Sequence, residues 1–254
     1  MIAFSAHLGI LFPELAPLER PAAARAAGYE AVEAWWPPAP HPGDWPGAVR
    51  AAGLRAVLVN ADGGDLAAGE RGFCNLPERA EAVVESARAA ARVAAAGGGD
   101  LVNLLAGRFT PDRPEADQLA AARAVVRDAA DAVADQGARI VIEHLNDTDV
   151  ARPLLPTPAD AAAFVEAVGH EGVSVLFDAY HAAMAGLNPL EEAGRVAGLI
   201  GHVQYADHPG RGAPGTGTID LWALVDRLDA LGYEGHVGLE FLPAGPTPPA
   251  PRRG

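Results

Sequence analysis

The chain has no lysine: all 19 basic residues are arginine, set against 33 aspartate and glutamate, for a formal net charge of -14. Phosphate binding needs a basic face, so this balance argues against a nucleic-acid partner, and the acidity reads as solubility. The absence of lysine accompanies a bias toward Ala, Arg, Gly and Pro, a coding-composition effect with no functional message of its own. A single cysteine, Cys74, excludes an intrachain disulfide. No apolar run reaches the roughly 18 residues that a membrane span requires. The start, Met-Ile-Ala-Phe-Ser-Ala-His, lacks a basic segment followed by an apolar one. A cytoplasmic protein with no membrane partner is therefore expected.

Half of the 254 residues are hydrophobic, enough for one large core, and the abundance of Ala and Gly implies that much packing is close backbone approach. Eight short runs rich in β-formers alternate with longer Ala-rich segments of helical period, the pattern of repeated βα units. The strands are expected near residues 2–8, 29–35, 54–60, 101–106, 139–145, 173–179, 200–206 and 236–242. The helices are expected near 14–27, 45–52, 77–96, 114–136, 158–168, 189–197 and 221–231. Several of these begin with Pro, which suits a first helical turn, and Gly28, Gly53, Gly137, Gly169 and Gly232 stand where left-handed C-terminal caps belong. The prediction is an α/β fold, a single (β/α)8 TIM barrel over residues 1–243. Residues 244–254 are too rich in Pro for a normal helix, so the last barrel helix is expected to be missing and the tail disordered or draped over the body.

In such a barrel the C-terminal ends of the strands converge on one face. Four oxygen-bearing side chains recur there: Glu143 in Arg-Ile-Val-Ile-Glu-His, Asp178 in Val-Leu-Phe-Asp, Gln204 in Gly-His-Val-Gln-Tyr and Glu240 in Val-Gly-Leu-Glu-Phe. Alternation along the fifth strand points Val141 and Glu143 one way and Ile140, Ile142 and His144 the other. Any one of the four could simply cap its strand, but four at matching ends form a candidate metal site. Three carboxylates and an amide oxygen suit a hard divalent cation, Mg2+ or Mn2+, better than Zn2+, whose usual sites contain His or Cys.

With three ionised carboxylates such a site stays negative after binding a divalent ion, so an anionic substrate would need cations nearby. Arg71, after the third strand, and Arg211, after the seventh, lie in Gly-rich loops of the same face and are the candidates. His181, three residues past Asp178, is placed to contact a substrate oxygen, while His202 reads as a hydrogen-bonded core residue and His7 as ambiguous. Glu33, Trp35 and Trp36 close the second strand, where the aromatics could wall a small pocket or simply pack. The Gly-Arg-Gly and Pro-Gly-Thr-Gly runs match neither a P-loop nor a dinucleotide fingerprint.

From Phe4-Ser5-Ala6 to Glu240 the chain resembles the hydroxypyruvate isomerase family of xylose-isomerase-like TIM barrels. The resemblance is carried by Gly-Asp-Leu-Ala-Ala-Gly-Glu-Arg-Gly at 64–72, Ile142-Glu143, Asp178-Ala179-Tyr180-His181, Gly201-His202-Val203-Gln204, and Arg-Gly-Ala-Pro-Gly-Thr-Gly at 211–217. It implies a divalent metal held by Glu143, Asp178, Gln204 and Glu240, with Glu143 and Glu240 also serving as the acid/base pair. Similarity to related ketose epimerases implies that His181 and Arg211 touch substrate oxygens. The chain departs from the family in His144, where Pro commonly follows the first ligand, and in Ala213 and Thr218, where Glu is frequent.

The activity so implied is metal-dependent aldose–ketose isomerisation of a short hydroxy-oxo acid, hydroxypyruvate to 2-hydroxy-3-oxopropanoate (tartronate semialdehyde), by a possible homo-oligomer. The same chemistry on a 2-oxotetronate, or epimerisation of a ketose, is the nearest alternative. A DNA-repair endonuclease of the same fold would need a His-rich multinuclear site and a basic groove, which the sequence lacks. A non-catalytic sugar-acid binding protein would show binding without turnover.

Overall fold

Each of the eight β-rich runs becomes a strand in the computed structural model, which describes residues 2–253. They are β1 (Ala3–His7), β2 (Ala31–Ala34), β3 (Arg55–Asn60), β4 (Leu101–Asn103), β5 (Arg139–Glu143), β6 (Val173–Asp178), β7 (Ile200–Tyr205) and β8 (His236–Leu239). Neighbours pair in parallel and in chain order, and β8 pairs back onto β1, so the sheet closes into a barrel. Closure leaves no exposed edge.

Between the strands lie α1 (Arg20–Ala26), α2 (Trp45–Ala51), α3 (Ala80–Ala96), α4 (Glu115–Ala134), α5 (Pro158–Val168), α6 (Ala179–Met184), α7 (Pro189–Arg195) and α8 (Leu221–Ala230). The boundaries follow local chemistry. In α5 the Thr157 hydroxyl and the Asp160 carboxylate form a reciprocal capping box, Pro158 opens the first turn, and Gly169 ends the helix at φ 63°. All five glycines expected at helix ends have positive φ. Two expectations need correction. The first helix starts at Arg20, not near residue 14, because the Arg20 guanidinium donates to the carbonyls of Leu15 (3.0 Å) and Leu8 (2.6 Å) and ties the preceding segment into turns. α6 was not anticipated; it begins directly after Asp178, whose carboxylate accepts the His181 backbone N–H at 3.0 Å and caps it.

Most of the core lies between the strands and the helical layer, with Trp45, Phe164, Phe177 and Leu224 fully buried. A separate small cluster, which includes Ala31, Leu58, Leu101, Val141 and Leu176, draws on β2 to β6. Side-chain alternation puts Val141 on the same face as Glu143 and Leu176 on the same face as Asp178, so this apolar plug underlies the polar mouth. No helix follows β8 among the described residues. The Pro-rich segment instead crosses the flank beside α1 and α8, where a helix following β8 would pack: Phe12 N–H donates to Thr247 Oγ1 (2.8 Å) and Ala250 N–H to the Ala27 carbonyl (2.9 Å). Arg253 pairs with Asp226 and lies 5.2 Å from the Trp222 ring.

Candidate active site

The barrel brings the four strand-end side chains to one rim. Glu143 and Asp178 are the last residues of β5 and β6, Gln204 is the second-last of β7, and Glu240 directly follows β8. Asp178 and Gln204 are register partners. All four are buried, Glu143 the least at 6% exposure. Ligand-capable atoms of Glu143, Asp178 and His181 lie within 4.8 Å of one another, a group that could hold a metal ion.

Each side chain has a distinct set of partners. Glu143 Oε2 accepts from Asn103 Nδ2 at 2.7 Å, and its Oε1 lies 3.7 Å from His181 Nε2. Burial, then the charges of Glu240 and Asp178, push the Glu143 carboxyl well above its ordinary value. Burial also lifts Asp178, with Arg211 opposing and Glu240 reinforcing. Glu240 behaves differently: Trp35 Nε1 donates to its Oε1 at 2.8 Å and Arg211 Nη2 to its Oε2 at 2.8 Å. Burial is the largest single influence and works against its charge, yet Arg211, His7 and His181 together outweigh it and the carboxyl is held below its ordinary value. Two carboxylates facing one space are thus driven in opposite directions.

Gln204 donates from Nε2 to Glu33 Oε2 at 2.9 Å, while its Oε1 is buried with no hydrogen-bond partner. A buried acceptor left open on a rim of three carboxylates fits a cation. His181 is fixed from behind, its Nδ1 accepting from the Asn146 backbone N–H (3.2 Å) and facing Asn146 Nδ2 at 2.6 Å. That leaves Nε2 as the protonated nitrogen, on the side of Glu143. Burial, aided by Arg211, brings the imidazole down to about 3, so it is a neutral donor at ordinary pH.

A cavity of about 490 Å³ opens onto this rim, walled by Trp35, Leu66, Leu105, Leu145 and Val150 and carrying Glu143, Glu240, His181, Arg71, Arg211 and Asp149. Trp35 therefore walls the pocket as well as bonding Glu240. Arg71 has no carboxylate within ion-pair distance among the described residues; its Nη1 donates to the carbonyls of Leu66 (2.9 Å) and Glu70 (2.6 Å) in its own loop. That loop closes tightly, since a Cβ on Gly72, at φ 85°, would come within 1.9 Å of the Leu105 carbonyl oxygen. Arg211 stands in the left-handed region at φ 54° and lies 5.4 Å from the Tyr180 ring. A separate hollow of about 520 Å³ between the loop after β7 and the tail contains neither Glu143 nor Glu240.

Two supporting residues escaped the sequence reading. Asn103 ends β4 just as Glu143 ends β5, so the strand-end rule applied to the later strands would have found it. Glu33 was noticed as the close of the second strand but given no role. It is fully buried and accepts from Ser5 Oγ (2.5 Å), His202 Nε2 (2.9 Å) and Gln204 Nε2 (2.9 Å). His202 is thus a buried hydrogen-bonded histidine, as expected. His7 is fully buried, with Nε2 3.7 Å from Glu240 Oε1.

Residues 21–253 match the family model of the xylose isomerase-like TIM barrel. The hydroxypyruvate isomerase of Escherichia coli is 32% identical over 96% of this chain and 94% of its own length. The 2-oxo-tetronate isomerase of Cupriavidus necator is 34% identical over 97% and 95%. Among solved structures, a Brucella melitensis protein described as a family 2 AP endonuclease superposes with a TM-score of 0.89 at 28% identity, covering 97% of this chain and 95% of that one. None of the described helices is long and apolar enough to cross a membrane.

Proposed function

The chain belongs to the xylose isomerase-like TIM barrel family and is an isomerase within it, and on that premise we propose that it interconverts hydroxypyruvate and 2-hydroxy-3-oxopropanoate with the help of Mg2+ or Mn2+. The observation that carries this reading is that Glu143 and Glu240, from the non-adjacent strands β5 and β8, open onto one cavity that also holds two arginines.

The reaction moves one proton from C3 of hydroxypyruvate to C2 and one hydroxyl proton from the C3 oxygen to the C2 oxygen, so reactant and product are isomers. Glu240, held ionised by Arg211, removes the carbon proton, and Glu143, across the cavity, completes the transfer. Arg71, free of acidic partners among the described residues, holds the substrate carboxylate. His181 donates from Nε2 to a substrate oxygen. Glu143, Asp178, Gln204 and Glu240 would hold the cation, whose chemistry when bound is to polarise the substrate carbonyl and offset the negative charge that develops on the enediolate. The apolar wall of Leu66, Leu105, Leu145 and Val150 limits water around the reacting carbons.

The cavity of about 490 Å³ leaves room beyond a three-carbon acid, which favours as second reading the same chemistry on a four-carbon 2-oxotetronate. The test is proton NMR of the Mn2+- or Mg2+-reconstituted protein with hydroxypyruvate in deuterated water. Metal-dependent formation of tartronate semialdehyde with deuterium at C2 is expected. No conversion of hydroxypyruvate, with turnover of 2-oxotetronate, would replace the first reading by the second; inertness toward both would sink the isomerase assignment to short acids.

A further inference from the structure

Gln204 is an unsymmetrical ligand candidate: one end of its amide is an acceptor that can face a cation, the other a donor that would repel one. Its orientation must therefore be decided by something other than its shape. The residue against its nitrogen is Glu33, whose ionised carboxylate is acceptor-only, with Oε2 2.9 Å from Gln204 Nε2. Turning the amide over would set two oxygens against each other at that distance and leave a desolvated clash in a fully buried place. Glu33 itself cannot swing aside, because its Oε1 accepts from Ser5 Oγ at 2.5 Å and His202 Nε2 at 2.9 Å. β8 makes the room: a Cβ on Gly238 would come within 2.1 Å of Glu33 Oε1, which accounts for a glycine in the middle of that strand.

Resting on the metal-dependent reading above, we propose that Glu33 is a positioning residue: it locks the Gln204 amide so that oxygen, not nitrogen, is offered among Glu143, Asp178 and Glu240, and it thereby sets the affinity of the site for a hard divalent cation. Donation of an amide N–H to a carboxylate also draws electron density onto the amide oxygen and makes it a stronger donor. This is the logic by which partners behind a metal's ligands tune the site.

The experiment is calorimetric titration of Mn2+ into the chelator-stripped full chain, with no substrate present, as a four-member cycle of wild type, E33Q, Q204E and E33Q/Q204E. In the wild-type background E33Q should weaken Mn2+ binding about 10- to 100-fold, the range seen when such supporting partners are removed. In the Q204E background both outer atoms of the ligand are oxygen, so orientation ceases to matter, and E33Q should be neutral or favourable. A simple charge effect would instead make E33Q equally costly in both backgrounds, and that result, or unchanged Mn2+ binding by E33Q, would overturn the proposal. Should E33Q fail to fold, a crystal structure of the Mn2+-loaded wild type decides: Gln204 Oε1 on the ion and Nε2 on Glu33 supports the assignment, and any other orientation removes it. Since Mn2+ binding is read without turnover, failure to isomerise hydroxypyruvate would leave this result standing.

Discussion

The two halves of the barrel mouth are built from different chemistry. On the side of β5 to β8 stand Glu143, Asp178, Gln204, Glu240, His181 and Arg211; on the side of β1 to β4 stand mostly neutral donors, Ser5, Trp35 and Asn103. The partners cross from one half to the other: Asn103 donates to Glu143, Trp35 to Glu240, and Glu33 accepts from Gln204. One half carries most of the charge that lines the cavity, and the other, Arg71 apart, fixes where that charge points. Asp178 is the exception, since its carboxylate caps α6 within its own βα unit. The division explains how Glu143 and Glu240 stay buried without collapsing into random pairs, because each has a dedicated hydrogen bond from across the mouth.

The sharpest way to break the comparison is to neutralise the reactive half. E143Q and E240Q should each lower kcat about 10²- to 10⁴-fold, the usual worth of a positioned acid or base, with far-ultraviolet circular dichroism unchanged. Near-normal turnover in both would mean that the proton is moved by other groups and that the two halves do not differ in the way described.

The same half should also be the acid-sensitive one. His144, whose Nε2 accepts the Asp178 backbone N–H at 3.2 Å, and His181 are both brought from 6.5 to about 3, mainly by burial. The folded state therefore favours the neutral rings, while the unfolded chain takes up protons below pH 6.5. Their stabilisation is complete above that pH and is lost as pH falls toward 3, by up to about 1.4 kcal/mol per pH unit for each ring. The Glu143 and Asp178 carboxyls, raised by burial, act in the opposite sense, so the ring's share is read by difference: in denaturant unfolding between those limits, the fall in unfolding free energy with falling pH should be shallower in H144Q than in wild type. A slope equal in H144Q and wild type would contradict the assignment.

The eight strands and the polar residues at the ends of the later ones were legible in the sequence because they are local: a short β-rich run, a polar residue at its end and a glycine before the next run are visible in a few residues. The supporting half was less legible for a physical reason. Glu33 meets Gln204 across 171 residues, and nothing near either position announces the other. Register between strands, not pattern within one, brings them together. α6 was hidden because its cap is Asp178 itself, which reads first as a strand end. The path of the tail over α1 and α8 depends on contacts such as Thr247 to Phe12 that composition does not specify.

Weakening the supporting half should cost less than removing the reactive groups. N103A deletes the hydrogen bond to Glu143, a bond to a charged group worth about 1.5–3 kcal/mol, so kcat/KM should fall roughly 10- to 100-fold. That bond lowers the Glu143 pKa; without it the carboxyl rises further, and any acid limb that reports ionised Glu143 moves to higher pH. A fall in kcat/KM with an unmoved pH profile would show that Asn103 acts by packing and not through Glu143.

The smallest effect is expected at the other end of the same strand. β5 begins with Arg139 and ends with Glu143, and Arg139 pairs with Asp100 at 2.8 Å with its side chain 52% exposed. An exposed pair of this kind contributes about 0.2–1 kcal/mol, weakened further by salt. R139A should therefore lower the unfolding free energy by no more than that and leave kcat unchanged, because residues at the N-terminal ends of barrel strands serve stability while those at the C-terminal ends serve chemistry. A large loss of kcat in R139A, with stability intact, would mean that the floor of the barrel is coupled to its mouth through β5. The contrast would then lie between β5 and its neighbours, and not between one half of the rim and the other.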